Sequence, residues 1–150
     1  MTSRAAVDGF LAERTLALVG ASRSKGKFGN MVLKELTAKG YRVLPVHREA
    51  AAIDGHTAYP SLAALPERPG GVVVVVPPAE AVGVVRDAAA QGISRVWLQQ
   101  GSSSPDALQA AAAAGLSVVH GECILMFAEP AGPLHGTHRF IWKLLGRLPR

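Results

Sequence analysis

The chain is poor in three things, and each shortage narrows what it can do. It has one cysteine, Cys123, in 150 residues. An internal disulfide and any structural metal site built from several thiolates are therefore excluded. Aromatic residues are only 5% of the chain, too few to interleave with cations as nucleic-acid binders require. No apolar run is long enough to cross a bilayer, and the opening MTSRAAVDGF lacks the pattern of a secretory signal. The expectation is a cytoplasmic protein with neither a membrane nor a nucleic acid as partner.

What is present points to one compact unit. Half of the residues are apolar, 49%, enough for a single domain with its own core. The formal charge of +5 is concentrated. Arg23, Lys25 and Lys27 sit in a glycine loop, and Arg139, Lys143, Arg147 and Arg150 sit at the end of the chain. Two small basic clusters suit a phosphorylated small molecule better than a long polyanion.

Three segments share a pattern: LKELTAKGYRVLPV, VVRDAAAQGISRVWL and LQAAAAAGLSVVH. Each is a helical stretch, a glycine (Gly40, Gly92, Gly115), then a short β-branched run. Glycine ends a helix in the left-handed conformation without a Cβ clash, and runs apolar on both faces are those of buried parallel strands. With two further apolar runs, strands are predicted at 16–19, 42–46, 72–76, 95–98 and 117–119. Helices are predicted near 29–39, 79–91 and 105–114, the last opened by Ser104 and Pro105. Residues 50–70 read as a looser connection with a short strand at 56–59 and a helical turn at 61–65.

Strands alternating with helices predict an α/β fold: a Rossmann-like, doubly wound parallel sheet in three layers. Residues 1–133 form that domain. Residues 134–150 read as a basic amphipathic helix, with Phe140, Ile141, Leu144, Leu145 and Leu148 along one stripe. It is expected to cover its own sheet or a second copy of the chain, a homo-oligomer, in preference to lying on a membrane.

In such sheets ligands bind outside the carboxyl ends of the strands, which selects five loops. In the first, Gly20, Ala21, Ser22, Arg23, Ser24 and Lys25 are candidate anion-binding residues. Gly20, Gly26 and Gly29 have the spacing G-x5-G-x2-G, distinct from the dinucleotide fingerprint. The physics is shared: a turn with free N–H groups leads into the positive end of a helix. The loop lacks the Gly-Lys-Ser/Thr ending of a triphosphatase, so ATP hydrolysis is not expected. An ordinary solvated turn is the plain alternative.

In the second loop, His47 and Arg48 stand where NAD-binding folds carry an acid, which suits a ribose bearing its own phosphate, as in NADP or coenzyme A. An ordinary surface arginine is equally consistent. Pro77 and Pro78 make a rigid apolar ledge and also start a helix. Gln99 and Gln100, at the fourth strand tip, are neutral hydrogen-bonding groups suited to positioning or simply to a polar loop. In the fifth loop His120, Glu122 and Cys123 are close in sequence, but neighbours on a strand point to opposite sides. A buried, inert Cys123 is the expected outcome. His135 and His138 lack further ligands for a metal and read as surface residues.

LVGAS, then GNMVLKEL, GYRVLPV, VVVPP, VWLQQG and a late CILM, in that order, resemble the small stand-alone coenzyme A-binding proteins, themselves similar to the nucleotide-binding domain of the succinyl-CoA synthetase alpha subunit. The likeness runs over about residues 10–127. It implies a Rossmann-type fold binding coenzyme A at the strand tips. Ser22 to Lys25 would meet the phosphates, and His47 and Arg48 would lie near the ribose and its phosphate. Pro77 and Pro78 would line the cofactor, and Gln99 and Gln100 would approach the pantetheine arm. No counterpart of the ligase's phosphohistidine segment is present, so synthetase activity is not implied. The reading is non-catalytic binding of coenzyme A or an acyl-CoA. An NADP-dependent reductase and a redox sensor joining Cys123 to the coenzyme thiol are the alternatives.

Overall fold

In the computed structural model, residues 3–24 and 27–128 are described. Lys25, Gly26, the two histidines at 135 and 138 and the amphipathic helix expected at 134–150 lie outside them. Five parallel strands form one sheet: β1 (Thr15–Val19), β2 (Arg42–Val46), β5 (Gly71–Val74), β6 (Arg95–Gln99) and β7 (Ser117–Glu122), in the order β2-β1-β5-β6-β7. The short β3 (Ala52–Ile53) and β4 (His56–Thr57) form a separate antiparallel hairpin. The helices are α1 (Arg4–Ala12), α2 (Phe28–Ala38), α3 (Pro78–Ala90), α4 (Pro105–Ala113) and the single turn α5 (Ile124–Phe127). This is the doubly wound α/β architecture expected.

Alternate strand residues feed two cores, as the pleat requires. Leu16, Leu18, Val73, Trp97 and Val119 face α1, α2 and α5, and Ala17, Val72, Val74, Val96 and Leu98 face α3 and α4. The second layer is built with small residues, Ala81, Val85 and Ala88 from α3 and Ala107 and Ala111 from α4, all at 0% exposure. That lets both helices lie close to the sheet. The predicted glycine helix ends hold: Gly40, Gly92 and Gly115 have φ of 92°, 72° and 72°.

Several elements depart from expectation, the short strand β3 and the turn α5 among them. Helix α1 was not foreseen. The Ser3 side chain caps it by accepting from the Ala6 N–H at 3.1 Å, and Val7 and Phe10 bury fully against the sheet. The Phe10 ring meets Trp97 edge-on, with centroids 5.4 Å apart, and it rests where a Cβ at Gly71 would stand. The expected strand at 56–59 divides into the hairpin arm β4 and a parallel bridge from Tyr59 to Val46. The predicted turn at 61–65 is a 3-10 turn over Leu62–Ala64, capped by Ser61.

Helix α1 is thus pinned chiefly by one ring. Phe10→Ala is expected to lower unfolding free energy by about 3–5 kcal/mol, measured by urea denaturation. A loss below about 1 kcal/mol would show that α1 contributes little to the core.

Candidate functional site

Because β1 lies between β2 and β5, the loops after β1 and β5 leave the sheet toward opposite faces, and the order reverses there. The backbone is tight at this point. Gly20 has φ 129°, and a Cβ on it would run into the carbonyl of Val75. A Cβ on Gly29 would strike the carbonyl of Gly20. The two glycines allow α2 to start against the end of β1, while the Val75 N–H bonds the Val19 carbonyl at 2.8 Å.

Helix α2 opens differently from α1 and α4. Those two carry serine caps, but Lys27 at the N-cap of α2 gives no side-chain hydrogen bond. The N–H groups of its first turn, with the positive end of the helix dipole, face the glycine loop. Within the loop some donors are engaged. The Ser22 N–H bonds Asn30 Oδ1 at 2.8 Å, and Asn30 Nδ2 returns a bond to the Ser22 carbonyl at 2.8 Å. The Ser24 N–H bonds Ser22 Oγ at 3.0 Å. Asn30, buried to 5% exposure, was not among the sequence candidates. The expectation of a turn that exposes its N–H groups therefore holds only in part.

Arg23 reaches across to the loop after β2 and pairs with Glu49 at 2.8 Å, both side chains well exposed. Such a pair is worth at most about 1 kcal/mol, so the guanidinium remains exchangeable to a better anion. His47 Nδ1 accepts from the N–H groups of Glu49 and Ala50 at 3.1 and 2.9 Å. The neutral ring then carries its hydrogen on Nε2 as a donor. Arg48 is exposed beside it.

Between the ends of β1, β2 and β5, the segment Pro60 to Leu62 and helix α3 lies an open cleft of about 620 Å³. Val19, Val46, Leu62, Val76 and Val84 give it apolar walls, and His47, Arg48, Glu80 and Asp87 also line it. Gly83 leaves it wide, because a Cβ there would meet nothing within 4 Å. Pro77 and Pro78 are exposed at the start of α3 as its N-cap and first residue.

The fourth and fifth loops are largely occupied with holding the edge together. Gln99 is 2% exposed, and its Oε1 accepts from the Ile124 N–H at 3.0 Å, which starts α5. Gln100 is exposed and donates to the Gly121 carbonyl at 3.3 Å. Ser102 Oγ accepts from the Val76 N–H at 3.1 Å, and Ser104 caps α4. Cys123 is 6% exposed in the core, as expected for an inert thiol. Among the described residues no group of three His, Cys, Asp or Glu side chains could hold a metal.

The fold and this site define a Rossmann-like α/β domain with a nucleotide-sized crevice at its switch point. The chain belongs to the CoA binding domain family, which matches residues 14–129. It is similar in structure to a conserved hypothetical protein from Pyrococcus furiosus, at 38% identity over 74% of this chain and 96% of the other, with a TM-score of 0.71. A hypothetical protein from Pyrococcus horikoshii is 31% identical over 79% of this chain and 84% of the other, with a TM-score of 0.75. The dinucleotide-forming acetyl-coenzyme A synthetase 1 of Ca. Korarchaeum cryptofilum shares the fold at 24% identity over 71% of this chain and 25% of its own, with a TM-score of 0.63.

One group at the edge is costly. Glu122 is buried, and its Oε2 has no hydrogen-bond partner; burial raises its pKa above the ordinary carboxylate range. Below that range the side chain is neutral in both folded and unfolded chains and costs nothing. Above it the unfolded chain ionises more readily, and stability falls. Glu122→Gln is therefore expected to raise the melting temperature near neutral pH, with the gain shrinking toward about pH 4. A gain independent of pH would contradict this.

Proposed function

We propose that the chain binds coenzyme A, free or acylated, at the switch-point edge and performs no chemistry on it. Family membership supports a coenzyme A ligand. The observation that carries the placement is the pairing, across one glycine turn, of an uncapped helix start with an apolar cleft. The residues present fit the cofactor's parts. The first turn of α2 with Ser22, Arg23, Ser24 and Lys25 would take the diphosphate, on a turn that Gly20 keeps tight against Val75 and that Ala21 anchors in the core. The cleft falls in the usual size range for small-molecule sites and would take adenosine. His47 Nε2 and Arg48 in the lining suit the ribose and its phosphate, since a guanidinium fork matches two phosphate oxygens. The carboxylates of Glu80 and Asp87 in the same lining suit the adenine amino group. Pro77, Pro78 and Gln100 would flank the pantetheine arm, with Gln99 supporting that corner from below. The same edge offers no exposed thiol for a redox exchange, because Cys123 is buried.

Gly83→Leu tests the placement by filling the cleft. Replacing a helix-interior glycine should leave stability unchanged or raised by up to about 1 kcal/mol, while coenzyme A binding by calorimetry should fall at least about tenfold. Unchanged affinity would move the adenosine elsewhere. The double variant Arg23→Ala, Lys25→Ala should also bind about tenfold or more weakly, with a flatter salt dependence. Unchanged affinity would remove the loop from the site. Tight binding of NADP with no binding of coenzyme A would replace this reading with that of an NADP-dependent reductase.

A further inference from the structure

The β3–β4 hairpin has no place in the doubly wound scheme, yet it touches the anion loop through one buried side chain. Its two-residue turn is Asp54-Gly55, with φ of 48° and 81°, and both positive values are what a tight hairpin turn of this kind demands. Asp54 is the one non-glycine with positive φ among the described residues. The turn aims its carboxylate at α2, where Oδ2 accepts from Asn30 Nδ2 at 2.9 Å. The hairpin is itself anchored to the sheet. Ile53 is in the core at 2% exposure, and Tyr59 exchanges hydrogen bonds with β2 and His47, from its N–H to the Pro45 carbonyl and from the His47 N–H to its own carbonyl.

We infer that Asp54 is a positioning residue for the anion loop, acting through Asn30; its consequence for ligand rests on the coenzyme A reading above. A carboxylate can only accept, so it selects the NH2 end of the Asn30 amide. The same NH2 group holds the Ser22 carbonyl, and Asn30 Oδ1 is left to hold the Ser22 N–H. Both backbone groups of Ser22 are thereby turned inward. The Ser22 hydroxyl closes on the Ser24 N–H, and the Arg23 side chain is left 61% exposed. A carboxylate more than twenty residues away in sequence thus sets the shape of the loop without touching what the loop binds.

The test turns on a sign. Asp54 is a negative charge near a site for a polyanion. By plain electrostatics its removal tightens binding, whereas loss of the latch weakens it. Asp54→Gly keeps the turn, since glycine accepts positive φ freely, and removes the acceptor. Asp54→Asn keeps an acceptor, tolerates the same φ and removes the charge. Two measurements are made on the full chain: calorimetry with coenzyme A, and amide hydrogen exchange at Ser22 and Ser24 without ligand. Asp54→Gly is expected to bind about three- to tenfold more weakly, as for the loss of one part-buried hydrogen bond to a charged group, and to exchange faster at Ser22. Asp54→Asn is expected to match or exceed the native affinity with native exchange. Equal or tighter binding by Asp54→Gly, or unchanged exchange at Ser22, overturns the inference. If the native chain itself fails to bind coenzyme A, the ligand reading falls, and the exchange rates alone decide whether the latch holds the loop.

Discussion

The site depends on a place where the backbone has no room for a methyl group. At Gly20 the last turn of β1 lies against the Val75 carbonyl, and at Gly29 helix α2 lies against the Gly20 carbonyl. Steric exclusion at these two positions seats α2 directly on the sheet edge, where the strand order reverses. A larger side chain at either would push the helix outward. The positive end of the helix and the floor of the adjacent cleft would then no longer share one turn. Preorganised N–H groups and an apolar wall are what a recognition site requires.

Around that contact the edge divides groups engaged within the fold from groups that stay exposed. Ser102, Ser104, Gln99 and the backbone of Ser22 are all engaged internally. Arg23, Arg48 and Gln100 stay exposed, and Arg23 is tied only by a surface ion pair. The cleft itself is lined by charges of both signs, Arg48 with Glu80 and Asp87.

Much of this was legible in the sequence because the signals were local. A glycine after an alanine-rich stretch ends a helix wherever it occurs, so Gly40, Gly92 and Gly115 placed three helix–strand units. Helix α1 was missed because it is only nine residues long and Gly9 lowers its helix propensity. In the fold the Arg95 guanidinium lies where a side chain at Gly9 would be, a contact no local pattern can show. Gln99 and Gln100 look alike in sequence, yet the irregular register between β6 and β7 at that point accompanies the burial of one and the exposure of the other. Asn30 lay hidden on a helix, since its partners are eight residues back and twenty-four residues on. The Asp-Gly turn was readable as a hairpin signal, but what its carboxylate reaches depends on tertiary packing.

A crystal structure of the chain with coenzyme A tests the central claim most directly. The account predicts the diphosphate at the first turn of α2 and the glycine loop, with the adenosine between His47 and Gly83. A cofactor bound at any other edge or face of the sheet, with that cleft holding only solvent, would contradict it.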